Sequence, residues 1–370
     1  MKRMAILLTV LIVVSGCAPQ YDTEEEVIQD NTEETDEEQR FIVPNNISEN
    51  EYQTILPYQP SAARGVITNQ VSNRYDIDEL EQGLIRHAKS TFDPEEYLFQ
   101  EGQYLTEDMI LGWIDDLNPA DKNSPDKEYH EENPRVFSHV LEHNYLVRGE
   151  ENRVELAGIT LGIALKSEYA FQTEIGGTTY YTEISMEEML ETGKEVTENL
   201  LSRIRDIEEL QEVPIMVALY RENKTNAITP GNYVAKAEVE PLEQTVNEWE
   251  TINENYVLFP SNEAETDYYE QSETMREFSQ SVQNYFPNYI GVVGKGFYIN
   301  DQLQELSINI PIEFYGKQEV IGLTQHLYGL ILEHFPNNYD VEVTVESPSK
   351  QEALLIREAG EEEPITHIYE

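Results

Sequence analysis

Apolar positions along the chain recur with two periods, and the switches between them mark the elements. Ile77, Leu80, Leu84, Ile85 and Ala88 fall on one helical face, and Asp76 with Glu79 forms a capping-box-like start. Thr106 to Leu117 predicts a second, short helix with Met109, Ile110, Trp113, Ile114 and Leu117 as its stripe. Residues 115–134 are polar and Pro-punctuated, which predicts a loop. Residues 156–165 change to period two. Ile159, Leu161, Ile163 and Leu165 face one side of a strand, and Gly158, Thr160, Gly162 and Ala164 allow close packing on the other. Ser185 and Glu188 then cap a long helix whose buried face includes Met189, Val196, Leu200, Leu201 and Ile204. Pro214 ends that region, and a strand from Ile215 to Tyr220 follows.

The C-terminal part repeats this order. Leu306, Ile308, Ile310, Ile312 and Phe314 alternate as a half-buried strand, with Pro311 on its polar face marking a sheet edge. A helix follows from Lys317 to Phe335, and Val341, Val343 and Val345 make another strand. Strand, helix, strand in both halves predicts an α+β fold of two related lobes. Each lobe is an antiparallel or mixed sheet with packed helices. The join falls in residues 238–272, giving an N-terminal lobe over 61–245 and a C-terminal lobe over 246–370. The repeat is one of architecture, without residue-level identity between the halves.

The N-terminus changes the picture. Lys2 and Arg3 precede an apolar run from Met4 to Val14 that is too short to span a bilayer comfortably, so 1–16 reads as a secretory leader. It ends in Val14-Ser15-Gly16-Cys17, the pattern of a bacterial lipobox. Cleavage falls between Gly16 and Cys17, and the Cys17 thiol takes the lipid. A diacylglycerol carries two chains, enough for stable anchoring where one is marginal. Cys17 is the only cysteine, which excludes an intrachain disulfide and a Cys-based zinc site. Between Asp22 and Glu38 stand ten acidic side chains and no basic one, so residues 17–60 read as a lipidated, disordered acidic tether; calcium capture is the sharper alternative.

Composition narrows the partners. Asp and Glu number 72 against 24 Lys and Arg, a formal charge of −48. Nucleic-acid binding needs a basic footprint and is excluded, and adhesion to anionic headgroups is disfavoured. The membrane is thus a partner through Cys17 alone. A polytopic membrane protein is excluded because the one long apolar run is the leader.

Candidate chemistry is thin. His139-Val-Leu-Glu142-His143 matches the inverted zinc-protease pattern H-x-x-E-H. On a helix, both imidazoles share a face and bind zinc, with Glu142 as base. No third ligand is placed, so the plainer reading is a surface helix with incidental histidines and no metal. Neighbouring His130, Glu131 and Glu132 add a transition-metal alternative. His326 and His334 sit on the boundary of the C-terminal amphipathic helix. Gly291-Val-Val-Gly294-Lys295-Gly296 lacks the spacing and the Ser or Thr of a phosphate loop and reads as a Gly-softened strand or hairpin. Asp115-Asp116 carries no weight in so acidic a chain. There is no G-x-S-x-G elbow, no enzyme signature and no cofactor motif.

Several short stretches spread over the chain nonetheless point to a family. The lipobox Val14 to Cys17, Ser61-Ala-Ala-Arg64-Gly65, Tyr97-Leu-Phe-Gln-Glu-Gly-Gln-Tyr-Leu105, Ile356-Arg-Glu-Ala-Gly360 and Thr366-His-Ile-Tyr369 resemble the CamS-type sex-pheromone lipoproteins of Firmicutes. The resemblance implies a leader processed to a short hydrophobic peptide that triggers conjugative plasmid transfer; here that stretch lies within Thr9 to Gly16. Two classes stay open for the folded body. One is a lipid-anchored, extracytoplasmic, non-catalytic module. The other is an extracytoplasmic metal-dependent hydrolase or ligand-binding receptor using the His139–His143 segment or a cleft between the lobes.

Overall fold

The computed structural model describes residues 26–29, 40–42, 50–149, 153–286, 291–313 and 316–370. The leader 1–16, Cys17 and Phe314 lie outside the described residues. The first lobe holds strands β1 (Glu26–Gln29), β2 (Arg40–Ile42), β3 (Gln53–Leu56), β4 (Leu98–Glu101), β5 (Phe137–Arg148), β6 (Arg153–Leu165), β7 (Glu168–Gln172), β8 (Thr179–Glu183), β9 (Ile215–Arg221), β10 (Asn232–Val239) and β11 (Glu250–Thr251). Its helices are α1 (Ile67–Gln70), α2 (Arg74–Ala88), α3 (Glu107–Asp116), α4 (Lys127–Glu132) and α5 (Met186–Ile204). The second lobe holds β12 (Glu254–Phe259), α6 (Asn262–Asp267), α7 (Tyr269–Tyr285), β13 (Val293–Ile299), β14 (Gln302–Pro311), α8 (Lys317–His334), β15 (Asp340–Glu346), β16 (Gln351–Arg357) and β17 (Ile365–Ile368).

The first sheet runs β1-β2-β3-β4-β5-β6-β9-β10-β11, with β1 also parallel to β6; the second runs β12 to β17 in chain order. From β4 onward the two sheets share one topology. β4-β5-β6-β9-β10-β11 and β12-β13-β14-β15-β16-β17 both step antiparallel, antiparallel, parallel, antiparallel, antiparallel. The parallel step is a crossover through α5 in one lobe and α8 in the other. Two helices stand between the first two strands of each unit, α3 with α4 and α6 with α7. The first crossover also carries the β7–β8 ribbon, whereas the second passes from Pro311 to Lys317.

Strand β6 serves two cores. Ile159, Leu161, Ile163 and Leu165 are buried in the cluster built with α3 and α5. The opposite face meets α2, and its small residues are required there. A Cβ on Gly158 would stand 2.1 Å from the Phe92 ring, and one on Gly162 3.2 Å from Leu84. Helix α5 starts as its sequence demands, with the Ser185 hydroxyl accepting from the Glu188 N–H. Between β13 and β14, Asn300 and Asp301 both take positive φ (51° and 62°), which matches a two-residue hairpin that twists with its strands.

Several expectations change. The His139–His143 segment is part of β5, not a helix. Helix α2 begins at Arg74 with Asn73 as N-cap, and Asp76 is a buried acceptor rather than a cap. The polar stretch 115–134 contains α4. The acidic tether is not without regular structure: Glu26–Gln29, Arg40–Ile42 and Gln53–Leu56 are strands of the first sheet. Strand β14 lies inside its sheet, between β13 and β15. Pro311 is tolerated there because β13 pairs only as far as Asn309, so the residue lacking an N–H sits past the end of its neighbour.

The lobes meet through charge and aromatic contact. Arg86 of α2 pairs with Glu79 at 2.6 Å and with Glu254 of β12 at 3.1 Å, and lies 4.5 Å over the Phe297 ring. His87 stands 3.0 Å from the same Glu254, and Tyr256 donates to Glu79 at 2.6 Å.

Candidate functional site

β4 is four residues long and pairs β5 only from His143 to Leu146. Beyond its end the open edge of β5 borders a cavity of about 240 Å3, closed by α2 and by the segment 61–67. The cavity wraps this edge, and residues of both strand faces line it, Val140 and Glu142 among them. His139, Leu141 and His143 share the face toward α2, whereas Glu142 turns to the other. The Glu142 carboxylate there accepts N–H groups of Leu105 at 2.7 Å, Tyr104 at 3.2 Å and Gln103 at 3.2 Å. Burial raises its carboxyl above the usual range, and these backbone donors pull it back. Gly102 makes this crossing possible: its N–H donates to the Glu142 carbonyl at 3.0 Å, and a Cβ would stand 2.6 Å from that residue. Glu101 pins the facing loop, accepting the Ser61 N–H at 2.5 Å and the Tyr58 hydroxyl.

His139 and His143 are 2% and 3% exposed, and burial pushes both imidazoles down to about 3, so they are neutral at ordinary pH. Nδ1 of each has no hydrogen-bond partner among the described residues. The His143 ring meets Phe99 edge-on at 5.0 Å. On a strand, four residues span about 13 Å, against about 6 Å on a helix, so the two imidazoles do not converge on one ion. Among the described residues no group of three or more potential ligands is placed to hold a metal.

The remaining sequence candidates have structural partners. His130 is buried, with Nε2 at 2.9 Å from the Ser124 carbonyl and its ring stacked on Phe171 at 4.6 Å. His326 and His334 both meet Ser281 across α7 and α8. Gly294 and Gly296 lie in β13, as a Gly-softened strand requires, against Met275 and Tyr298. Asp115 pairs with Lys122 and Arg135 on the surface.

Sequence reasoning missed the charged lining of the cavity, Arg64 and Glu81. Burial raises the Glu81 carboxyl, Glu101 adds to the rise, and Arg64 opposes it. It also missed a second buried cluster, at the carboxyl ends of the parallel strands β6 and β9. Burial pushes Glu222 up to about 7 against the pull of Lys166, and Asp76 up to about 6 despite donors from Gly231, Tyr220 and Asn223. Only the Ser61–Gly65 and Tyr97–Leu105 stretches signalled any of this.

The family described as CamS sex pheromone cAM373 precursor matches residues 58–363. A crystal structure of a sex pheromone precursor from Lactobacillus salivarius subsp. salivarius UCC118 is similar with a TM-score of 0.82 at 26% identity. The match covers 90% of this chain and 99% of that one. The C-terminal domain of the sex pheromone staph-cAM373 precursor from Staphylococcus aureus matches with a TM-score of 0.69 at 26% identity, over 81% of this chain and 99% of that one. No curated protein matches the sequence significantly.

Proposed function

Because this chain belongs to the CamS sex pheromone cAM373 precursor family, we propose that it is an extracytoplasmic lipoprotein held to the membrane through lipid on Cys17. Its excised leader supplies a short hydrophobic peptide pheromone, and its folded body binds rather than catalyses. The chain then divides into the leader 1–16, a tether from Cys17, and two lobes that meet between Thr251 of β11 and Glu254 of β12. The family match together with the lipobox Val14-Ser15-Gly16-Cys17 is the observation that carries this reading. The stretch Thr9 to Gly16 is neutral and mostly aliphatic, which suits partition into a membrane and an apolar receptor groove. A binding rather than hydrolytic body is supported by β5, which spreads His139 and His143 along a strand and turns Glu142 away from them.

Two experiments test the proposal. Wild type and Cys17→Ala are expressed in a Gram-positive host and fractionated; the variant is expected to leave the membrane, and equal retention after leader cleavage would sink the anchor. Synthetic peptides ending at Ser15 or Gly16 are applied to plasmid-bearing recipients beside a working control pheromone. Clumping or induced conjugation at nanomolar dose is expected, and silence across the panel contradicts the pheromone.

A further inference from the structure

Strand β6 is thirteen residues long, but β9 pairs with it only from Ile159 onward. β9 therefore leaves the edge from Arg153 to Gly158 uncovered. Alternation fixes which groups that edge carries. The Arg153 carbonyl accepts from the Gly149 N–H on the β5 side at 2.8 Å, so the backbone groups of Val154 point the other way. Val154 is buried in a small core with Ile55 of β3, Leu98 of β4 and Leu146 of β5, and buried backbone groups need partners. β1 meets that need. It runs parallel to β6 with Ile28 opposite Arg153 and Gln29 opposite Val154. β1 also pairs with β2, and β2 pairs with β3 through Phe41 with Leu56 and Ile42 with Ile55. The sheet β1-β2-β3-β4-β5-β6 thus closes on itself, with one residue of the small core from each of its last four strands.

We propose that β1 and β2 are a strap, drawn from the acidic stretch after the leader, that closes this small barrel and fixes which end of the body stands at the membrane. The reach of the chain sets the distance. From Cys17 to Glu26 is nine residue steps, at most about 30 Å of extended chain. With β3 as the first fixed strand, the 36 steps to Gln53 would allow about 120 Å. The sense of pairing sets the orientation. Because β1 is parallel to β6, its first residue lies at the end of the first lobe where β5 turns into β6. That end is held within about 30 Å of the lipid. The loop after β9, which carries the exposed Thr225, begins level with Leu165. It lies roughly 30 Å further along the sheet from Glu155, on the side away from the bilayer.

The closure stands on the fold alone, whereas the membrane distance also rests on lipid at Cys17, and the two are tested apart. For the closure, the chain carries Cys17→Ala with Ile28→Cys and Arg153→Cys. Mild oxidation is expected to give an intrachain disulfide, seen in non-reducing mobility, while Ile28→Cys with Thr225→Cys stays reduced. Hydrogen exchange at the Val154 N–H is expected to quicken tenfold or more in Ile28→Pro. Unchanged exchange at Leu161 on the same strand confirms that the lobe remains folded. Either an Ile28/Arg153 pair that stays reduced or Val154 exchange indifferent to Ile28→Pro overturns the strap. For the distance, lipidated protein in liposomes with acceptor-labelled headgroups carries a donor dye on Glu155→Cys or Thr225→Cys. Energy transfer is expected to be several-fold stronger from position 155, and equal or reversed transfer contradicts the orientation. A chain recovered without lipid refutes the anchor and with it the membrane distance, while the closure is judged by the cross-link.

Discussion

Glu222 shows how much one side chain costs when its charge is buried. It is 3% exposed, Lys166 offsets only part of the desolvation, and its carboxyl holds its proton up to about 7. The unfolded chain releases that proton near 4.5. Between these values the folded state binds more protons, so stability falls as pH rises through the window, by about 3 kcal/mol in full. His139 and His143 act in the other direction. Neutral down to about 3 when folded, they contribute stability that is present above about 6.5 and lost as pH falls below it. In Glu222→Gln, stability is expected to rise more steeply with pH between about 4.5 and 6.5, because the gain from the two histidines is no longer opposed by the Glu222 carboxyl, and to stop falling between about 6.5 and 7. Urea melts across that range check it; an unchanged slope would show that Glu222 does not titrate there.

At the scale of elements, the lobe contact hangs on α2 and β12. Glu254 has a side chain only 1% exposed and depends on Arg86 and His87. Arg86→Ala strands that carboxylate, and breaking a buried pair from one side costs about 3–5 kcal/mol. Calorimetry is expected to show a lower melting temperature and two separated transitions as the lobes uncouple; one transition at the wild-type temperature would count against the latch. The elements themselves were largely legible. β6, α3, α5, α8 and β15 carry strong periodicity, and a cap or a Pro bounds several of them. β5 was misread because two histidines four apart imitate a helical face, while the strand signal lies in Tyr145-Leu146-Val147 beyond them. The cavity was not legible, since Arg64, Glu81, His139 and His143 come from a loop, a helix and a strand far apart in sequence. The step-for-step match of the two sheets was visible only as strand, helix, strand, because topology constrains pairing sense and not residue identity.

Over the whole molecule, charge is the dominant stress. With leader removal the loss of Lys2 and Arg3 takes the formal charge from −48 to −50. Such self-repulsion destabilises a compact state. Screening shortens from about 10 Å at 0.1 M salt to about 3 Å at 1 M, so the melting temperature is expected to rise with NaCl. A temperature indifferent to salt would contradict this, and calcium is titrated separately because specific binding saturates at far lower concentration. The same charge disfavours adhesion of an unlipidated chain to an anionic envelope, so under the proposed function residence at the membrane would depend on Cys17. The most direct test is mass spectrometry of the N-terminal peptide of protein extracted from membranes. The account predicts a peptide beginning at Cys17 with a thioether-linked diacylglycerol; an unmodified Cys17, or a peptide beginning upstream of it, would contradict the account.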